Sequence, residues 1–302
     1  MNNALKGHTA IICANVIFGL GVPITKYLLD NWMSPISYMA SRCIGAALIF
    51  WAIACFLPKE KIAGKDLIVI IAGGILGFVL SQTLTAWALN YTTPVYYSLI
   101  VTLCPAVVML LAALFLGERI TPPGLLGVTL GVAGAALLVV LRWQDASGSD
   151  DLLGIGLTIL SLLAWAVYLI ITRHVSQRYS GVSQMKWFFL VSTAIVVPMS
   201  WNTLPQDRLL AGGYGWEALP GWGALLFIVV LATVLGYFLI PYAMRYLRAT
   251  TVSVYTNLQP IVASVVAIYW GQDTWSWDKP VAAILVLVGA WLVTTKTTET
   301  AD

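Results

Sequence analysis

Ten stretches of this chain are each long and apolar enough to cross a bilayer, and no other feature limits its fold more. They are residues 7–27, 35–57, 66–88, 94–116, 122–142, 152–172, 184–204, 221–245, 251–271 and 278–295. A helix needs about 20 mostly apolar residues to span the hydrocarbon core. In lipid every backbone N–H and C=O must be bonded within the protein, so only helices and closed barrels cross it. The runs lack the apolar-polar alternation of an outer-membrane barrel. The expected fold is therefore all-α and integral to the membrane, with ten transmembrane helices. Composition agrees, since 60% of the 302 residues are hydrophobic and 10% are charged, against about 25% charged in a soluble domain. The longest link, around Pro205 to Pro220, is too short for a soluble domain. Net charge is +3 with no basic cluster, so nucleic acid is not an expected partner. Cys13, Cys43, Cys55 and Cys104 all fall inside apolar runs and read as packing residues, not disulfides or metal ligands. Lys6 precedes the first run as in a secretory signal, but the run is too long and lacks a small-x-small exit before Lys26. It is expected to be a retained helix.

Basic residues set the orientation. Lys6, Lys59, Lys61, Lys65, Arg119, Arg173, Arg178, Lys186, Arg245, Arg248 and Lys296 fall on one side of the ten spans. Only Lys26, Arg42, Arg142, Arg208 and Lys279 fall on the other. The richer side is expected to face the cytoplasm, and both termini with it. Most of the tryptophans then lie near the outer interface, where an aromatic belt belongs.

The two halves, 1–145 and 151–302, resemble each other weakly but in order. Thr102-Leu103-Cys104-Pro105 matches Asn257-Leu258-Gln259-Pro260, and Pro105 to Gly134 and Pro260 to Gly289 are both 29 residues. At the same offset of 155, Ala88, Tyr91 and Ser98 meet Ala243, Tyr246 and Ser253. Earlier, Phe18-Gly19 with Thr25-Lys26 parallels Trp165-Ala166 with Thr172-Arg173 at an offset of 147, so a gap of about eight residues lies between. Five spans is an odd number, so equivalent helices run in opposite directions. The expected architecture is two inverted-topology five-helix repeats, an arrangement that places a solute site at the midplane and opens it by rocking. Transport is the leading class.

The run Pro105…Leu116-Gly117-Glu118-Arg119 followed by Gly127-x-x-x-Gly131-x-x-Gly134 resembles the signature that ends the EamA-type repeat. Tyr242-Ala243-Met244-Arg245-Tyr246 with Leu258-Gln259-Pro260 is similar to a second copy, with Gly271-Gln272-Asp273 where Gly-Glu is usual. The resemblance covers nearly the whole chain. It implies a ten-span member of the drug/metabolite transporter superfamily, most similar to the aromatic and neutral amino-acid exporters. Family likeness further implies metabolite efflux across a bacterial inner membrane. Small relatives in the superfamily carry a buried Glu in their first helix, where this chain offers Asn15 and Phe18. Relatives that move sugar phosphates carry deep Lys or Arg in their last spans, and none lies between Arg248 and Lys279 here.

A charge at the centre of a span costs about 2.5–3.5 kcal/mol on insertion scales. All thirteen carboxylates lie in links, tails or the last turn of a span, so facilitation or exchange is expected instead of a proton relay on a buried carboxylate. His8, at the cytoplasmic edge, reads as solvated or capping, with a proton role as the alternative. Arg42 can snorkel to the outer interface, as Lys26 can. The alternative is a pore-facing Arg42 that meets a substrate carboxylate.

The candidate cavity residues are therefore neutral: Asn15, Phe18, Gln82, Thr83, Ser98, Thr102, Ser161, Trp165, Tyr168, Tyr237, Ser253, Asn257 and Gln259, with Thr85 and Thr256 beside them. Ser161, Trp165 and Tyr168 are spaced to share one helical face. Amides and hydroxyls of this kind can hold a zwitterion while aromatic rings cover an apolar side chain. Each Ser and Thr also has a packing reading, because such hydroxyls bond their own backbone in membrane helices. Pro23, Pro105, Pro241 and Pro260 are candidate hinges or gates, since each removes a backbone hydrogen bond. The Gly127, Gly131 and Gly134 ladder reads as close packing of the fifth span on a neighbour such as the tenth. No metal site, catalytic residue or cofactor is expected; a lipid enzyme would need a convergent cluster that His8 and His174, both near one surface, cannot form. The expected partners are a small-molecule substrate and the lipid bilayer, with the chain a monomer or a weak homodimer. A broad exporter of lipophilic cations is the competing reading, with Trp165 and Tyr168 faces as its cation sites.

Overall fold

A computed structural model describes residues 3–117, 122–130, 150–212 and 215–272, and single positions or pairs at 120, 133, 277, 280–281, 284–285, 288 and 292. The described chain is helical: α1 (Asn3–Asn31), α2 (Pro35–Cys55), α3 (Gly64–Tyr91), α4 in two halves (Pro94–Val101 and Cys104–Leu116), α5 (122–130), α6 (Asp150–Arg178), α7 (Gly181–Ser200), α8 (Trp216–Met244) and α9 (Ala249–Tyr269). Seven of these are long and apolar enough to cross a membrane, and the second half of α4 adds a shorter apolar helix. Most of the expected tenth span, 278–295, lies outside the described residues, as do the second half of the fifth and Gly131, Gly134 and Gly289.

The packing has the symmetry that the repeat implies. Helix α2 lies along α7, α3 along α6, α1 along α8 and α9, and α4 along α6 and α9. Exchanging α1 with α6, α2 with α7, α3 with α8 and α4 with α9 maps this set of pairs onto itself. Directions follow from the contacts. His8, Asn15 and Pro23 of α1 meet Tyr255, Gln259 and Gln272 in that order, so α1 and α9 run the same way. Gly73 and Ser81 of α3 face Thr172 and Ser161 of α6, so that pair is antiparallel. Lys26 Nζ donates to the Leu89 carbonyl (2.7 Å), which places the ends of α1 and α3 together. Helix α6 therefore opposes its counterpart α1. The face of the bundle where α1 begins is called the near face below, and the face where it ends the far face.

Local sequence explains the helix ends. Pro35 opens α2 in the first turn, where a backbone N–H has no intrahelical partner. Gly117 (φ 67°) closes α4 and Gly271 (φ 70°) closes α9. Both adopt the left-handed conformation that only glycine takes without cost, which is why the Gly survives at 271 although the usual Glu after it does not. The shift in repeat offset also has a place. The α2–α3 link runs from Cys55 to Gly64, whereas the α7–α8 link runs from Ser200 to Trp216 and forms two extra short turns, Leu204–Gln206 and Arg208–Gly212. These turns seat on Trp32, with the Leu209 N–H donating to its carbonyl (3.2 Å) and Arg208 4.8 Å over its ring.

A pair of carboxylate clamps ties α2 to α7, one at each face. On the far face the Ser34 N–H, just before α2, donates to Asp207 Oδ1 (2.8 Å). On the near face the Ser180 N–H and hydroxyl, just before α7, donate to Glu60 Oε2 at 3.0 and 2.9 Å. Glu60 and Asp207 are 147 residues apart, and Ser34 and Ser180 are 146 apart. Each helix start is thus capped from beyond the end of the other helix, where the helix dipole favours an anion. Burial alone would push the Glu60 carboxyl up, but hydrogen bonds from Ser183 and Ser180 and the nearby Arg245 charge hold it below its ordinary 4.5.

Two outcomes follow. The near-face clamp stabilises the folded chain above pH 4.5 and loses that contribution as pH falls through the lower folded-state value; E60Q should remove this acid-side slope from the unfolding midpoint in detergent. A Cβ on Gly77 would sit 2.5 Å from Tyr168 Cγ, whereas one on Gly156 meets nothing within 4 Å. G77A should destabilise by about 1–3 kcal/mol through overpacking, and G156A should leave the midpoint unchanged or raise it.

Candidate functional site

The interruptions of the described spans fall in helices that the repeat pairs with one another. Helix α3 widens into a π-helical stretch at Ile75–Leu80 and its counterpart α8 does so at Phe227–Leu235. Helix α4 breaks at Thr102-Leu103, and its counterpart α9 passes through a tighter turn at Tyr255–Asn257. Pro105 and Pro260 sit in the first turn after these breaks, where their missing N–H costs nothing. They restart broken helices; they do not kink continuous ones. Pro23 lies inside α1 with its carbonyl accepting from Gln272 Nε2 (2.9 Å), and Pro241 lies inside the last segment of α8.

These segments surround a cavity with an empty volume of about 750 Å³, including the part open to solvent. Its walls come from α1, α2, α3, α4, α6, α8 and α9, so both halves of the chain contribute. Of the expected residues, Phe18, Gln82, Ser161, Trp165, Tyr237 and Gln259 line it, together with Thr85 and Thr256. Its near side is a layer of aromatic rings centred on Tyr237, which lies 5.3–5.8 Å from Phe18, Phe78, Trp165, Phe188 and Phe189. Tyr168 stands behind Trp165 (4.9 Å) in this layer and is 1% exposed. From that floor the cavity extends toward the far face past Thr25, Tyr38, Leu89 and Tyr97. There the Thr25 and Tyr38 hydroxyls pair at 2.7 Å and those of Thr85 and Tyr97 at 3.1 Å.

The remaining expected residues are placed elsewhere. Asn15 is buried behind Gln259, accepting from its Nε2 (2.8 Å) and donating to the Ile11 carbonyl (2.8 Å). Ser98 donates to the Pro94 carbonyl (2.6 Å) and Ser253 to that of Thr250 (2.7 Å), so both hydroxyls bond their own helix. Thr102 is buried at the break in α4, and Thr83 is half-buried off the cavity face of α3. Asn257 is buried at the restart of α9, and its side-chain carbonyl has no hydrogen-bond partner among the described residues. Ser161 lines the cavity yet also joins α6 to α3, donating to the Ser81 carbonyl (2.9 Å) and lying 2.8 Å from Thr85 Oγ1. His8 is half-buried, and its Nδ1 pairs with the Tyr255 hydroxyl at 2.8 Å.

Arg42 departs most from the sequence expectation. It does not snorkel; seven residues into α2, at about 1.5 Å of rise each, it lies too deep, and it is 4% exposed. Its guanidinium lines the cavity, with Nε donating to Thr233 Oγ1 (2.9 Å) and Nη1 to Gln82 Oε1 (3.0 Å). The rings of Phe78 and Tyr38 lie 4.8 and 5.3 Å from its centre. The π-helical turn of α8 supplies Thr233, whose hydroxyl bonds the Ile228 carbonyl five residues back (2.7 Å). Among the described residues, no three His, Cys, Asp or Glu side chains converge to hold a metal.

A helical membrane protein whose two inverted halves enclose a polar and aromatic chamber at mid-depth has the form of a transporter. The EamA-like transporter family model matches residues 5–140 and again 152–295. The chain belongs to that family. It is 24% identical to a protein described as the uncharacterized transporter YyaM of Bacillus subtilis, over 94% of this chain and 92% of that one. It is also 24% identical to a probable terminal-alkyne amino-acid exporter of Streptantibioticus cattleyicolor, over 97% of this chain and 94% of that one. A solved crystal structure with 18% identity matches 99% of both chains with a TM-score of 0.70, which shows the shared fold.

Proposed function

We propose that this transporter exports amino acids with neutral or aromatic side chains, and related small metabolites, across a bacterial inner membrane with both termini in the cytoplasm. The observation that carries the reading is the chamber itself. Its floor is a set of aromatic rings and its walls hold amides and hydroxyls, a combination suited to a small amphipathic solute. The named amino-acid exporter among the relatives supports the same class. Translocation would proceed by alternating access. The halves 1–145 and 151–302 rock about the clamped pair α2 and α7, so that the aromatic floor parts on one side as the Thr25–Tyr38 and Thr85–Tyr97 pairs close on the other. Among the described residues no carboxylate lines the chamber, so the cycle runs as facilitation or exchange down the solute gradient. Lipophilic cations are the rival substrates, and the guanidinium of Arg42 in the wall disfavours them.

The test is counterflow by purified protein in liposomes, with a panel of amino acids and lipophilic cations, with and without an imposed pH gradient. Neutral and aromatic amino acids should exchange at rates that collapsing the gradient leaves unchanged, and W165A should slow them by about tenfold or more, the loss of one or two kcal/mol of aromatic contact. Transport confined to cations, or strictly dependent on the gradient, would overturn the proposal.

A further inference from the structure

We infer that Arg42 is the anion anchor of the chamber, so that the transported solute must carry a carboxylate or an equivalent single negative group. This rests on the reading of the cavity as the transport site and names what that site selects.

Arg42 is 4% exposed and stands near the middle of a membrane span. A guanidinium at such depth normally finds a carboxylate. The two ion pairs among the described residues, Lys26–Asp30 and Arg178–Asp66, do not involve it, and no described carboxylate lies within 4 Å of its nitrogens. Its hydrogen bonds go to neutral acceptors: Nε donates to Thr233, and Nη1 to Gln82 Oε1 and, at 3.9 Å, to the Met39 sulfur. The two N–H groups of Nη2 have no partner among the described residues, and the residue lines the cavity. Thr233 and Gln82 hold the planar fork from two sides, and Phe78 and Tyr38 lie over it. The donors left over are those that bind a carboxylate through paired N–H···O bonds.

The groups holding Arg42 explain why it can be retained there unpaired. The π-helical turn of α8 brings the Thr233 hydroxyl to Nε, and the turn of α3 brings the Phe78 ring over the guanidinium (4.8 Å). The two irregular segments that sequence symmetry relates therefore converge on one cation. Such a charge in a confined site repels cations and attracts a single anion, while the rest of the wall offers an ammonium only neutral groups such as Gln259 and the Trp165 and Tyr237 rings. The chamber is thus asymmetric toward a zwitterion: the carboxylate is fixed and the amine is tolerated.

The experiment uses the full chain in liposomes and labelled phenylalanine counterflow, with three competitors. N-acetylphenylalanine keeps the carboxylate and loses the amine's charge; phenylalaninamide and phenethylamine lose the carboxylate. N-acetylphenylalanine should compete within a few-fold of phenylalanine itself, and the other two at least about tenfold less well, the loss of one charge-assisted interaction. R42K should weaken binding while keeping this order, and R42Q should abolish the order. Competition by phenethylamine equal to that by N-acetylphenylalanine in the unaltered protein would overturn the inference, whether or not R42Q folds. The two readings fail separately. If 3-phenylpropionate exchanges and no amino acid does, the amino-acid assignment falls and the anchor stands. If phenylalanine moves with no preference for carboxylates, the reverse holds.

Discussion

A backbone amide inside a bilayer has no water to bond to, and this constraint decides where the chain can depart from a regular helix. Such departures are tolerated only where the freed groups face protein or a wet cavity. Here the π-helical stretch of α8 lines the chamber with Ile228 and Ala232 and the turn of α9 with Thr256, while the stretch of α3 ends just before the lining residues Ser81 and Gln82 and the break of α4 follows Val101. The other helices that line it, such as α2 and α6, run regularly. Beside the chamber the freed Ile228 carbonyl accepts from the Thr233 hydroxyl (2.7 Å), and it is there that a solute would be handled.

The same economy governs charge. Carboxylates stay at the faces, where Glu60 and Asp207 cap helix starts and Asp66 accepts from Arg178 (3.1 Å) and Tyr179 (2.8 Å). These contacts fix the ends of α2, α3, α6 and α7 without placing a charge in lipid. Arg42 is the exception, and it faces the chamber. Its cost is met by neutral oxygens, two aromatic faces and access to the cavity. Tight packing elsewhere depends on missing side chains: Gly77 lies under Tyr168, and Gly236 admits Phe18, whose ring would be 2.6 Å from an added Cβ.

Much of the fold was legible in the residues. Apolar run lengths give the spans, and the matched positions of Pro105 and Pro260 point to equivalent helices that the structure interrupts at equivalent places. The left-handed closures at Gly117 and Gly271 obey a local steric rule that any sequence must follow. The chamber was less legible because burial inside a membrane bundle has no polar-apolar contrast to read. Helix α1 is apolar nearly all round, so nothing in its spacing separates Phe18, which lines the cavity, from Asn15, which is buried behind it. Tyr38, Tyr97, Thr25 and Ser81 were open to view as polar groups in apolar runs, but no spacing aims them. The π-helical turns have no sequence signature here beyond nearby glycines. Arg42 was read as snorkelling because a long side chain usually escapes to the interface, and only the cluster of Thr233, Gln82, Phe78 and Tyr38 keeps it in.

The central claim is that a single chamber between the halves is reached from each side of the membrane in turn. Val22 lines that chamber and is 8% exposed, so V22C in a background without Cys13, Cys43, Cys55 and Cys104 reports on it directly. A membrane-impermeant thiol reagent should reach this position from the far face at rest and from the near face during solute exchange. Labelling from one face alone, unchanged by any solute that the protein moves, would contradict the account.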